Sequence, residues 1–214
     1  PLEYDTWTVP EKEIQRRRDF RSECVFTIDP ATARDLDDAL SVSRLEDGLY
    51  RVGVHIADVS YFVRAGTSLD KVALDRATST YLVERVVPML PRPLCEKLCS
   101  LNPHENRLTF SVEWTINDKA EILSEWFGRS VICSCAKLSY EDAQALIDHG
   151  TVTGVAVAAP HTLDKVSDSV RIMNKLAVQL RTRREEKGAL RLDQPKLSFT
   201  LNSDTVLPDG LNLH

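Results

Sequence analysis

The chain has 214 residues, 43% hydrophobic and 28% charged, with a formal net charge of −5. That is long and apolar enough for one domain with its own core, and no apolar run approaches the roughly 18 residues a membrane span needs. The acidic balance argues against a dedicated nucleic-acid binder, yet "QRRRDF" and "RTRREEKGALR" gather basic residues where a polyanion could be gripped locally.

Residues 1–22 are polar and charged and read as a lead-in arm, with neither a secretory signal nor an initiator Met, so a longer parent chain is expected. "CVFTI" is rich enough in β-branched and aromatic residues for a strand, and Pro30 then forces a turn, having no amide donor and a fixed φ. "DALSV" and "YRVGVHI" alternate as two strands around Asp47-Gly48, a hairpin signal. "TSLDKVALDRATSTYLV", from Thr67 to Val83, predicts a helix with Thr67 and Asp70 as a capping pair and Leu69, Val72, Ala73 and Ala77 as its stripe, ended by "PMLPRP". "LCEKLCSL" predicts a short helix. "RLTFSVEWTIND" and "AEILSEWFGRSVICSCAKL" predict strands around a polar turn at Asn117-Asp118. Ser139 caps a helix over "SYEDAQALIDHG", and Gly188 closes a longer one from Leu163. A last strand pair is expected in "GALRLDQPKLSFTLNSD". The fold class is mixed α/β (α+β), one mixed sheet surrounded by helices.

The five cysteines, Cys24, Cys95, Cys99, Cys133 and Cys135, are odd in number and lack zinc-knuckle spacing, which favours reduced structural thiols over a zinc site.

The unusual feature is "FTIDPATARDLDDALSV", which crowds Asp29, Asp35, Asp37 and Asp38 between two apolar strands. Ionised carboxylates raise one another's pKa, and a divalent cation with oxygen ligands is the simplest compensation. In an extended "DLDD" Asp35 and Asp37 share one face and Asp38 takes the other, so not all four need bind a metal directly. An EF-hand counted from Asp35 fails, because Leu40 stands where the tight turn needs Gly. An acidic run is ordinarily a solvated loop; here the flanking strands would hold it at the edge of the core. His55 and Asp58 in "HIADVS" read as hydrogen-bonded structural residues, and Arg107 as either a phosphate contact or a partner of Glu105.

"TIDPATARDLDDA" resembles the catalytic motif of the RNase II, or RNB, family of processive 3′-to-5′ exoribonucleases. The likeness continues in order through "YRVGVHIADVSYFV", "YLVERVVPMLPRPLCEKLCSL" and "NRLTFSVEW". The family's eukaryotic, exosome-independent branch is the most similar, which implies a cytoplasmic, monomeric enzyme acting on single-stranded RNA with a 3′ oligouridine tail. The resemblance implies Asp29 and Asp38 as the main Mg²⁺ contacts (Mn²⁺ being the substitute), Asp35 as their support, and Asp37 as the carboxylate most needed for cleavage to nucleoside 5′-monophosphates. It implies Tyr81 and Phe199 as aromatics that stack on bases. The family's later S-P-x-R-x-Y segment and its flanking RNA-binding domains have no counterpart here. Residues 23–214 are therefore expected to be the N-terminal portion of an RNB catalytic domain, incomplete at its C-terminal end. Two expectations follow: a catalytic region, or a truncated RNA-binding or regulatory fragment.

Overall fold

Alternation along two runs builds the first hairpin. In the computed structural model, which describes residues 7–82, 85–190, 197–201 and 208–213, β3 (Asp38–Arg44) pairs antiparallel with β4 (Tyr50–Ala57). The expected turn is present, with Asp47 at φ 58° and Gly48 at φ 73°, conformations that suit this residue pair. β2 (Val25–Asp29) adds to β3, and β7 (Asn106–Ile116) adds to β4.

β8 (Ile122–Ser139) closes the sheet. From Ile122 to Cys133 it pairs antiparallel with β7, and from Ser134 to Ser139 it pairs parallel with β2. The pairings β2–β3–β4–β7–β8 thus return to β2 and close a ring. The sheet is mixed, as expected, and β1 (Arg18–Asp19) also pairs parallel with β8, at Ser130 and Val131.

One buried face of the ring is polar. His55 is fully buried, hydrogen-bonded to Ser41 Oγ (2.9 Å) and Ser111 Oγ (2.7 Å) and packed against Phe20. Gly53 leaves room for this arrangement, since a Cβ there would collide with Ser41 Oγ and the His55 ring. Outside the ring, α4 (Tyr140–His149) and α5 (Leu163–Glu186) pack Leu146, Val166 and Val170 onto Phe26 and Leu138. Further along, Ile172 and Leu176 of α5 cover Val42 and Ile116. Both helices carry their expected caps: Ser139 forms a capping box with Asp142, and Gly188 follows α5 at φ 85°.

The segment expected as a lead-in arm carries α1 (Glu11–Arg16) and β1, and it docks through Arg17, which is buried. Three expectations are corrected or refined. After the one-turn helix α2 (Val59–Phe62), the helix that follows Thr67 is α3 (Ser68–Arg76), ended by Ala77 at φ 59°. The following "TST" favours extended backbone, so Tyr81 lies in a short hairpin of β5 (Thr80–Tyr81) and β6 (Val86–Val87). Leu94–Leu98 forms the expected short helix, as one π turn. The final pair is β9 (Leu197–Leu201) with β10 (Pro208–Leu213), so the second strand comes from "PDGLNL". All five cysteines are free thiols, with Cys24 and Cys135 facing each other at 3.9 Å.

Candidate active site

β2 delivers Asp29 to the end of the sheet, where its register partner on β8 is Ser139, the cap of α4. Pro30 then turns the chain, with Ala33 N–H donating to the Pro30 carbonyl at 2.9 Å. The loop that follows is stitched down at Ala33, Arg34, Leu36 and Asp37. Lys137 Nζ donates to the Ala33 carbonyl (2.6 Å), and Ser100 Oγ donates to the Arg34 carbonyl (2.8 Å). Leu36 N–H donates to Ser100 Oγ (3.1 Å), and the Leu36 carbonyl accepts from Leu101 N–H (2.9 Å). The Asp37 carbonyl accepts from Ala57 N–H at 2.9 Å.

The pattern of "DLDD" follows from this stitching. Leu36 is fully buried against Val25, Ala57, Leu101 and Ile132, and in extended backbone its neighbours Asp35 and Asp37 must project the other way. Asp38 begins β3 and is exposed, as is Asp37. An apolar anchor thus sets the positions of the carboxylates around it.

The four aspartates sense one another. Burial pushes the Asp29 carboxyl above the usual range, Asp38 and Asp35 push the same way, and Lys137 opposes them. Asp37 is also raised, first by loss of solvent and then by Asp35, Asp38 and Asp29. Asp29 Oδ2 is buried and finds no hydrogen-bond partner among the described residues. The Thr27 hydroxyl, two residues back on the same strand face and near enough to ease the Asp29 shift, also lacks a partner at hydrogen-bonding distance. Buried polar atoms are nearly always satisfied, so an orphan carboxylate oxygen within an acidic cluster is a place for a cation. Among the described residues no three His, Cys, Asp or Glu side chains already meet as a ligand set. The carboxylates are gathered but not closed, and hard oxygen donors of this kind fit Mg²⁺ or Mn²⁺.

Tyr81 is 72% exposed. Its hairpin partner Val86 lines a cavity of about 410 Å³ together with Thr32, Arg34, Asp35, Arg92 and Cys95. The Tyr81 hairpin and the acidic loop therefore border one space. Phe199 lies in β9, and its side chain is outside the described residues. His55 is held in the polar interior of the ring, and Asp58 is ion-paired to Arg17, so both are structural, as expected. Arg107 is buried, pairs with Glu105 and donates to the Ser100 carbonyl at 2.8 Å, which decides between its two readings in favour of the structural pair. Sequence reasoning did not find Lys137 and Ser100. A lysine inside the apolar strand "CAKLS" was the available signal; Ser100 offered none.

Compared with known protein families, residues 17–210 match the model described as "RNB domain". The chain belongs to the RNB family. The RNB chain is 56% identical to DIS3-like exonuclease 2 of Xenopus tropicalis over 213 residues, which is 97% of this chain and 26% of that protein. It is 47% identical to an Arabidopsis thaliana protein named "Inactive exonuclease DIS3L2", over 94% of this chain and 19% of that one. Its fold matches that of Mycoplasma genitalium RNase R in complex with ribose-methylated single-stranded RNA, with a TM-score of 0.86 and 24% identity over 99% of this chain and 32% of the other. The RNB chain thus spans about a quarter of the length of the Xenopus relative.

Proposed function

We propose that this RNB chain is the metal-binding part of a Mg²⁺-dependent, processive 3′-to-5′ exoribonuclease that degrades single-stranded RNA to nucleoside 5′-monophosphates. The observation that carries the reading is the pinned loop of four aspartates with Asp29 Oδ2 buried and unpartnered. Asp29 and Asp38 would hold the ion and Asp35 would support them, while Asp37, whose raised pKa suits it to proton transfer, would orient and deprotonate the attacking water. A bound divalent ion supplies an activated water and neutralises charge on the scissile phosphate. Tyr81, exposed beside the cavity that Asp35 lines, would stack on the terminal base, with Phe199 as a second stacking residue. The substrate would be RNA with a 3′ oligouridine tail, and the enzyme would act in the cytoplasm as a monomer apart from the exosome. Likeness to the DIS3-like exonucleases supports this choice.

A second reading is a catalytically silent RNA-binding or regulatory module. One observation favours it: among the described residues the carboxylates do not yet meet as a ligand set. A 5′-labelled oligouridine incubated with the chain and Mg²⁺ separates the two. Stepwise shortening with release of UMP, lost in Asp37→Asn while RNA binding persists, supports the enzyme. RNA binding with no shortening under either Mg²⁺ or Mn²⁺ supports the silent module.

A further inference from the structure

A lysine is costly to immobilise, and it is seldom placed between fully buried residues without a partner. Lys137 sits on β8 between Ala136 and Leu138, both fully buried, and opposite Thr27 of β2. Its ammonium is aimed at one carbonyl, that of Ala33, at 2.6 Å and 104 residues away in sequence. That carbonyl belongs to the turn separating Asp29 from Asp35, Asp37 and Asp38. β8 also carries the register partner of Asp29, so one strand fixes the Asp29 strand through its backbone and the acidic loop through Lys137.

We infer that Lys137 is a positioning residue for the metal site: by pinning the Ala33 carbonyl to β8 it holds the loop aspartates within reach of Asp29. The inference rests on the carboxylate-metal reading above. Lys137 has two effects of opposite sign on a bound cation. Its charge repels a second cation nearby, whereas its hydrogen bond preorganises the ligands that receive it. The short, charge-assisted bond makes preorganisation the larger effect.

Opposite signs make the test decisive. Mn²⁺ titrated into the intact chain and followed by electron paramagnetic resonance gives affinities for the parent, K137M, K137Q and K137R. Groups that orient metal ligands are typically worth about 10-fold or more in affinity, so K137M should bind about 10-fold more weakly. K137R, which keeps both charge and donor, should return to the parent value. K137Q keeps a donor without the charge and should fall between. K137M binding Mn²⁺ as tightly as the parent, or more tightly, would overturn the inference. Hydrogen exchange across residues 30–37 reads the pin without metal: exchange should quicken in K137M and not in K137R, and unchanged exchange in K137M would sink the idea. A parent chain that binds no Mn²⁺ would instead remove the metal reading, and the exchange result would still decide whether Lys137 pins the loop.

Discussion

Where β1 meets β8, Arg17 Nη2 donates to Asp58 Oδ2 at 2.7 Å and Nε donates to Glu13 at 3.2 Å, while Nη1 reaches the Thr109 and Ser130 carbonyls. Nine residues further along β8, about 30 Å at 3.3 Å per residue, Asp29 stands opposite Ser139 with one carboxylate oxygen buried and no hydrogen-bond partner among the described residues. The same strand thus borders two groups of carboxylates. One is matched by a guanidinium that gives each carboxylate a hydrogen bond and spends two more on backbone carbonyls. The other holds like charges, and the lysine beside Asp29 is committed to a carbonyl. The fold supplies a permanent cation to the first group; on the proposed reading, the second is where an exchangeable one would bind.

Breaking the matched group should give the largest effect. Arg17→Met leaves Asp58 and Glu13 only their longer cation contacts, to Arg129 (3.9 Å) and Arg16 (3.5 Å), and breaking a buried pair from one side costs about 3–5 kcal/mol. Urea unfolding should show that loss, and adding Asp58→Asn should recover part of it. A loss under about 1 kcal/mol, the range of exposed pairs, would mean that the match contributes little to the fold.

His55 supplies the next largest effect and a pH signature of its own. Burial lowers its pKa from 6.5 to about 4. The folded state therefore keeps the ring neutral while the unfolded chain takes up a proton below 6.5. Its contribution to stability is full above pH 6.5 and is lost as pH falls towards 4, a loss of about 3 kcal/mol at most. Unfolding free energies of the parent and His55→Gln, subtracted across pH 4 to 8, should show this slope. A flat difference would remove His55 from the acid response.

The local rules were readable in the sequence. Alternation gave β3 and β4, Asp47-Gly48 gave their turn, Ser139 gave the start of α4, and Gly188 gave the end of α5. The crowding of Asp29, Asp35, Asp37 and Asp38 was visible as charge. What depends on distant partners was not. The closure of the ring requires β8 to change partners at Ser134, and no local periodicity encodes that. Arg17 lay in a basic run of the kind that is usually solvated, yet it is buried by contacts 41 to 113 residues away. The loop pins come from Ser100 and Lys137, 66 and 104 residues from their carbonyls. The helical stripe of Leu69, Val72, Ala73 and Ala77 predicts a helix that carries Tyr81, and the "TST" before Tyr81 stops it.

Relieving the unmatched group should have a smaller effect of opposite sign. Asp29 and Asp37 have raised pKa values, so in the metal-free protein their charged forms are disfavoured by folding. That contribution stabilises the protein at low pH and is lost as pH rises through the folded values. Asp29→Asn should therefore stabilise the metal-free chain at pH 7, by less than the His55 effect because solvent reaches Asp29. The gain should fade as pH drops towards the ordinary 3.8. Mg²⁺ should invert the order, raising the Tm of the parent and not that of the variant, and its effect on the parent should grow with pH as the ligands lose protons. Destabilisation by Asp29→Asn without metal would mean that the cluster carries no electrostatic cost.

The smallest effect sharpens the contrast because it holds geometry nearly constant. Arg44 and Asp168 join β3 to α5 at 2.9 Å, close to the 2.7 Å of Arg17 and Asp58. Their side chains are 55% and 43% exposed, against 1% and 3% for the buried pair. Water already solvates both partners and salt screens them, so Arg44→Met should cost no more than about 0.5 kcal/mol, a cost that shrinks at high ionic strength. Urea unfolding of Arg44→Met and Arg17→Met at low and high salt puts the two pairs on one scale. Equal losses would show that pairing distance alone sets the cost. A several-fold larger loss for Arg17, insensitive to salt, assigns the cost to burial, and burial is the condition that also makes the unpartnered oxygen of Asp29 costly until a cation arrives.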